Sequence, residues 1–411
     1  MTSAVSDNKK LAVITTVWEY LSHAQHMADR FLVGYPRDGK WHRPPMTIAG
    51  LFIDQKPEGD QSQQRADEFG FTIYRTIAET LRLGGDKLAV DAVLIIGEHG
   101  DYPANQKGQI LYPRYEFFEQ AINVFKQDGR AVPVFNDKHL SYSFVKASRM
   151  VAASKELKFP FLAGSSLPVT WRLPPVELPY ESVVEEALMV GVGSSDASDY
   201  HALEAMQCML ERRRGGETGI RSVQLIEGKD VWKAGRDGRW SRQLLESALA
   251  RSDSRSGIAI SDGRPQNLAH SGELEQLVTS PAAYFFEYND GLRATLLMLN
   301  GAVHDYTFAA RVAGWPKNLS TQFMLPPRPN VAYSACLMGK VEEMISTGQA
   351  PYPVERTLLV SGMLERVLES RINGHRRLAT PELNVRYQAP RKSQFCGAIS
   401  KDNSTTSPAA G

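Results

Sequence analysis

Short runs of β-branched and other apolar residues alternate, over the first 165 residues, with longer amphipathic stretches. That is the pattern of strand, helix and strand in a parallel sheet buried on both faces. LAVITT (11–16) reads as the first strand, followed by a helix from about Tyr20 to Leu32. MTIAGLFID (46–54) reads as the second strand, QSQQRADEFG (61–70) as a helix closed by glycine, and FTIY (71–74) as a short strand. TIAETLRL then runs as a helix into Gly84 and Gly85, and AVDAVLIIG (89–97) is the most apolar strand. A helix at 115–129, a strand AVPVF (131–135), a helix at 144–157 and a strand FPFLAG (159–164) complete this half.

The texture changes at Ser165. Prolines cluster at 168, 174, 175 and 179, and the alternating segments RSVQLIEG (221–228), AAYFFEYND (282–290) and GLRATLLMLNG (291–301) predict an antiparallel sheet. A hairpin is expected at Asn289-Asp290-Gly291, with helices at 197–216 and 354–374 interleaved. Together these patterns predict a Rossmann-type doubly wound parallel sheet domain over 1–165. An α+β domain with a mostly antiparallel sheet follows over 166–390, and the polar, aperiodic residues 391–411 are expected to form a disordered tail.

Composition narrows the partners. With 411 residues, 42% of them apolar and 23% charged, the chain can build two cores. Its 47 basic and 46 acidic residues leave a formal net charge of +1, so no bulk positive field exists for nucleic acid. Cys208, Cys336 and Cys396 are odd in number and far apart, which excludes a disulfide framework and suits a reducing cytoplasm. No apolar run approaches the roughly 18 residues of a bilayer span, so no membrane partner is expected.

In open α/β sheets ligands sit beyond the carboxyl ends of the strands. The residues found there are Thr15, Thr16 and Trp18, then Asp54, then Glu98, His99, Asp101 and Tyr102, then Asn136, Asp137, Lys138 and His139, and finally Ser165 and Ser166. Each alone is explained as well by a polar loop facing water. The set is harder to explain that way, because Glu98-His99 and Asp137-Lys138-His139 cluster ionisable groups on neighbouring strands.

At this point the chain resembles the Gfo/Idh/MocA oxidoreductases, which pair a dinucleotide-binding domain with an antiparallel-sheet domain and usually oxidise sugars or polyols. Asp54 after LFI, then RADEFG and FTIYRTIAETL, is similar to the family's second strand, following helix and third strand. The family's Glu-Lys-Pro segment, whose lysine is catalytic, matches Asp137-Lys138-His139 in NDKHL, with the lysine retained and the proline not. The family's catalytic histidine matches His201 in GVGSSDASDYHALE, and the aspartate four residues earlier falls on Ala197, with Asp196 and Asp199 nearby. The strings extend to about residue 230 and, more loosely, to about Tyr387.

The resemblance implies an NAD or NADP cofactor near Thr15, Thr16, Asp54 and Glu98. It also implies catalysis by Lys138, His201 and Asp199, a carbohydrate-like small-molecule substrate, and a homo-oligomer joined through an open sheet face, for which the aromatic residues of AAYFFEY are suited. The departure is in the phosphate loop. A gapless match lays ITTVWEYLSHA (14–24) on the family's glycine-rich turn, histidine on histidine at His23, with Thr15, Val17 and Trp18 where glycines belong.

Hydride removal from a carbinol needs a base for the hydroxyl proton and a cation beside the developing alkoxide, roles that fall to His201 and Lys138. The plain alternatives are a helix-start histidine satisfied locally and a solvated loop lysine. A rival reading gathers Glu98, His99, Asp137, His139, His201 and Glu204 around a divalent metal for nicotinamide-independent lyase, hydrolase or isomerase chemistry. For the substrate, the candidates are His99, Asp101, Tyr102 and Arg114 within EHGDYPANQKGQILYPR (98–114), together with Trp171 and Arg172. Their alternatives are a self-supporting Ω-type loop and packing between domains.

Overall fold

The computed structural model describes residues 8–193, 195–255 and 267–398. In the first half β1 (Lys9–Thr15), α1 (His23–Val33), a small hairpin of β2 (Tyr35–Arg37) and β3 (Lys40–His42), and β4 (Met46–Ile53) follow one another. Next come α2 (Ser62–Phe69), β5 (Thr72–Tyr74), α3 (Ile77–Arg82), β6 (Ala92–Ile96), α4 (Arg114–Asp128), β7 (Val134–Asp137), α5 (Phe144–Leu157) and β8 (Phe161–Gly164). Six of these strands form one parallel sheet in the order β5-β4-β1-β6-β7-β8. Strand order reverses between β1 and β6, which puts the topological switch point at Thr15–Thr16 and Glu98–His99.

The second half holds β9 (Arg172–Leu173), β10 (Val184–Gly191), α6 (Asp196–Leu210), β11 (Ile220–Glu227), α7 (Lys229–Arg236), α8 (Arg242–Leu249) and α9 (Leu274–Leu277). It continues through β12 (Ala282–Tyr288), β13 (Arg293–Met298), β14 (Tyr306–Val312), β15 (Leu319–Phe323), α10 (Tyr333–Thr347), α11 (Glu355–Ile372) and β16 (Leu378–Ala379). The large sheet has the order β16-β11-β12-β13-β10-β14-β15-β9 and is antiparallel except where β10 runs parallel to β13. The expected hairpin closes with Tyr288 N donating to Leu292 O, and Gly291 adopts a φ of 89° that a side chain would resist.

The inner face of this sheet is covered by the chain itself, and the outer face in part. Tyr284, Phe286 and Tyr288 of β12 turn inward and pack with α6 and α11. Ala283, Leu297 and Ala309 on the opposite face are roofed by Trp232, Trp240, Leu244 and Leu245 of α7, α8 and their connection. The aromatic face of AAYFFEY is therefore core, not a surface for a second copy: period-2 alternation says which residues share a face but not what covers it.

The chain then returns to the first half. Leu337, Met338, Val341 and Met344 of α10 share a core with α1 and with Leu11, Leu51 and Leu94 of the parallel sheet. Beyond α11, Cys396 N donates to Val169 O and Phe395 is buried beneath the Arg172 guanidinium. Residues 399–411, the remainder of the expected tail, lie outside the described residues.

Candidate active site

The turn after β1 comes first, because a phosphate would bind there. Val17 and Trp18 are fully buried, with Trp18 stacked on Phe71 at 6.1 Å. Thr15 Oγ1 donates to Ile96 O (2.9 Å) and Thr16 Oγ1 to Glu98 O (2.7 Å), so both hydroxyls are spent tying β1 to β6. Ser22 caps α1 by accepting from Gln25 N, and His23 N donates to His99 Nδ1 at 3.4 Å. Asp54, which would take a ribose hydroxyl, instead accepts from Tyr102 O–H at 2.6 Å. A dinucleotide cradle needs glycines for close backbone approach and free amides at the helix start. The residues of this turn supply no glycine, and the buried side chains of Val17 and Trp18 occupy the approach, so they do not fit a pyrophosphate in the usual Rossmann position.

Beyond the strand ends lies a dense buried cluster. The Glu98 carboxylate is bracketed by Lys138 Nζ (3.0 Å) and the Arg114 guanidinium, whose other arm faces His139 Nε2 at 3.0 Å. Burial alone would raise the Glu98 pKa; Lys138 and then Arg114 outweigh it and hold the group ionised, well below its ordinary value. Lys138 and His99 both take left-handed backbone conformations, with φ of 59° and 70°, which side chains adopt only when their surroundings enforce it.

Asp137 meets His23 across the sheet, Nδ1 to Oδ2 at 2.6 Å. Burial is the largest influence on both, raising Asp137 to about 6 and pushing His23 well below its ordinary value. At neutral pH the pair is therefore a carboxylate accepting from a neutral imidazole, which leaves the lone pair on His23 Nε2. Around the ends of β6 and β7 the buried atoms Asp137 Oδ1, Asn136 Oδ1, His139 Nδ1 and Arg114 Nε have no hydrogen-bond partner. Such groups are normally paired, and their concentration here is a cost that the packing of the strand ends carries.

The second domain contributes α6. His201 Nδ1 lies 2.5 Å from Ser165 Oγ, and burial, followed by the charge of Lys138, keeps its imidazole neutral. Glu204, one turn further on, accepts from Ser165 N and from Thr357 Oγ1 (2.7 Å). His201 and Glu204 thus grip the same residue, one through its side chain and the other through its backbone. The grip requires Gly164, where a Cβ would stand 2.5 Å from Glu204 Oε1.

The cluster therefore brings together Glu98, His99, Arg114, Asp137, Lys138, His139 and His201. Asp199 is not among them: it accepts from Tyr284 O–H at 2.8 Å and faces the large sheet, because two helical residues apart is about 200° around the axis. Arg172 is buried against Phe323, Phe395 and the carbonyl of Pro168, while Trp171 packs partly buried beside the first domain's core. Asp101 is exposed, its backbone held by Gln55. Asn105, Lys107 and Gln109 bond one another and α11, so that part of the loop is the self-supporting kind. Among the described residues no three His, Cys, Asp or Glu side chains are arranged to hold the metal of the alternative reading. Glu204 is spent on Ser165 and Thr357, and His139 faces the Arg114 cation, which repels one.

Sequence reasoning missed His23, Ser165 as a partner of His201, and the clamp role of Glu204. The signal for His23 was its place at the start of α1 beside the switch point. A groove of about 530 Å³ lies elsewhere, beside β8, lined by Lys158, Phe159 and Tyr352, and carries none of this chemistry.

No protein-family model matches the sequence, and no curated protein matches it either. Solved structures do match in fold. GenD2 from gentamicin A biosynthesis, in complex with NAD, superposes with a TM-score of 0.54 at 13% identity, over 92% of this chain and 98% of that one. Myo-inositol 2-dehydrogenase from Lactobacillus plantarum gives 0.53 at 12%, over 90% and 99%. Myo-inositol dehydrogenase from Lactobacillus casei, in complex with NAD(H) and myo-inositol, gives 0.52 at 11%, over 90% and 96%. The fold of the chain is thus that of the Gfo/Idh/MocA-type oxidoreductases: a Rossmann-like parallel domain joined to a mixed, mostly antiparallel sheet.

Proposed function

We propose that the chain is an enzyme acting on a small polyhydroxylated compound of the sugar or polyol class, an oxidoreductase by its fold, whose hydride acceptor would be a nicotinamide held outside the turn after β1. In this reading His201 moves the hydroxyl proton and Lys138 stabilises the oxygen that becomes negative. One observation carries it. Lys138 and His201 come from different domains and meet on consecutive residues: Lys138 N donates to Gly164 O (3.1 Å) and His201 Nδ1 faces Ser165 Oγ. In the tautomer whose Nδ1–H donates to Ser165, Nε2 of a neutral His201 is free to accept a proton. The Lys138 ammonium, fixed by Glu98 in a buried layer, acts where water screens it least. The substrate class is supported by the myo-inositol bound to the Lactobacillus casei enzyme.

A second reading follows from the filled turn after β1. The same histidine and lysine serve a redox-neutral proton transfer beside a carbonyl, such as an isomerisation or dehydration, and need no hydride acceptor. A panel of polyols, aldoses and ketoses, incubated in D2O with and without NAD+ or NADP+ and read by mass spectrometry, separates the two. Oxidised product only with nicotinamide supports the first reading, and deuterium incorporation or water loss without it supports the second. Turnover that survives both His201→Gln and Lys138→Met within a factor of about ten overturns both, since one lost proton-transfer group costs ~10²-fold or more.

A further inference from the structure

In a doubly wound sheet the first helix normally turns its amino end, with its unpaired amides and positive dipole, toward a ligand phosphate. Here two of the first three helical amides are already engaged. The Ser22 side chain takes the amide of Gln25, and the amide of His23 points at His99 Nδ1. The remaining space is filled by Val17 and Trp18, neither of which is exposed.

We infer that the amino end of α1 is committed to the His99 imidazole in place of a phosphate. The protein accordingly takes no nicotinamide dinucleotide at this turn, and it presents His99 Nε2–H as a fixed neutral donor on the open side of the strand-end site. Three independent features carry this. A ring nitrogen that accepts from a backbone amide holds no proton of its own, so the ring's proton resides on Nε2. His99 keeps an unfavourable φ of 70°, which aims the ring at α1 rather than along the strand. Nε2 has no hydrogen-bond partner among the described residues, and the ring is only half-buried. Lys138, Glu98, Asp137, His23 and Arg328 surround the ring, and Tyr112 touches its backbone. The ligand's chemistry, an oxygen of a hydroxyl or carbonyl compound, rests on the reading of the strand-end site above; the wiring of His99 does not.

The test uses the whole chain. In protein labelled with ¹⁵N-histidine, long-range ¹⁵N–¹H correlation at neutral pH is expected to show His99 as the Nε2–H tautomer, and an Nδ1–H tautomer overturns the inference. Titration with NADH and with NADPH is expected to leave the Trp18 indole resonance, which lies in this turn, unmoved up to millimolar concentration. A saturable shift of that resonance overturns it. His99→Asn is expected to melt within about 2 °C of the parent, because asparagine tolerates the left-handed conformation and its Oδ1 can take the His23 amide. His99→Ala is expected to lose clearly more, and equal losses in the two variants remove the amide contact from the account. NADH binding at this turn would sink this inference and leave His201 and Lys138 in their roles, whereas inert His201 and Lys138 variants would leave the tautomer and the titration unchanged.

Discussion

At the scale of single residues, the site is governed by what burial does to charge. Glu98 stays ionised only because Lys138 and Arg114 flank it, so removing one cation leaves a buried carboxylate half-compensated. Lys138→Met is expected to destabilise the fold by about 3 kcal/mol in urea denaturation, as the breaking of buried pairs does. A loss below about 1 kcal/mol would mean that the pair is solvated. Glu204 runs the other way. Burial raises it from 4.5 to about 7, so between those values the folded chain keeps a proton that the unfolded chain releases. Its contribution therefore declines as pH rises through that window and is constant above it. Glu204→Gln removes this dependence. Relative to the parent, the variant is expected to gain stability between pH 5 and 7, by at most about 1.4 kcal/mol per unit. The histidines held neutral titrate in the opposite sense but are common to both proteins and cancel. Parallel curves from denaturation at several pH values would show that Glu204 ionises normally.

Among elements, the turn between β1 and α1 behaves as core. Trp18→Ala empties a buried site stacked on Phe71 and is expected to cost about 4 kcal/mol by chemical denaturation. Were this turn an open ligand loop, the loss would be within about 1 kcal/mol. The junction of β8 with α6 depends on a glycine for a different reason. Gly164 has a φ of 128° and the Glu204 carboxylate where a side chain would begin. Gly164→Ala is expected to cost about 2 kcal/mol in thermal unfolding and to shift the His201 ring resonances, because the clamp on Ser165 must open. Unchanged resonances would separate the clamp from His201.

For the molecule as a whole, the boundary between halves is crossed twice. The second half carries the large sheet, yet its α10 completes the core under α1 and β4, and Thr357 Oγ1 of α11 lies 3.0 Å from Ala163 O at the end of β8. A chain cut before α10 exposes the apolar faces of α1 and the parallel sheet. It is expected to lose its cooperative melt and to bind a hydrophobic dye, read by circular dichroism and fluorescence. A sharp melt near the parent temperature would show that the first half folds without this support.

The apolar runs alone located β1, β4, β6, β7 and β8, because strands buried on both faces of a parallel sheet must be apolar throughout. They also placed the chemistry, since polar residues can follow such strands only at the sheet edge, and there Lys138 and the Glu98-His99 pair were legible. His201 was found by resemblance, and its helix by periodicity. Only the tertiary structure showed that Asp137 pairs with His23 across 114 positions, that Glu204 grips Ser165 instead of a metal, and that Asp199 turns away. These are matters of helix phase and of side-chain meetings between distant segments, and local periodicity holds no record of either. The filled turn lies between the two cases. The missing glycines were visible in the letters, but that Trp18 closes the space and His99 takes the helix end depended on where Phe71 and β6 come to rest.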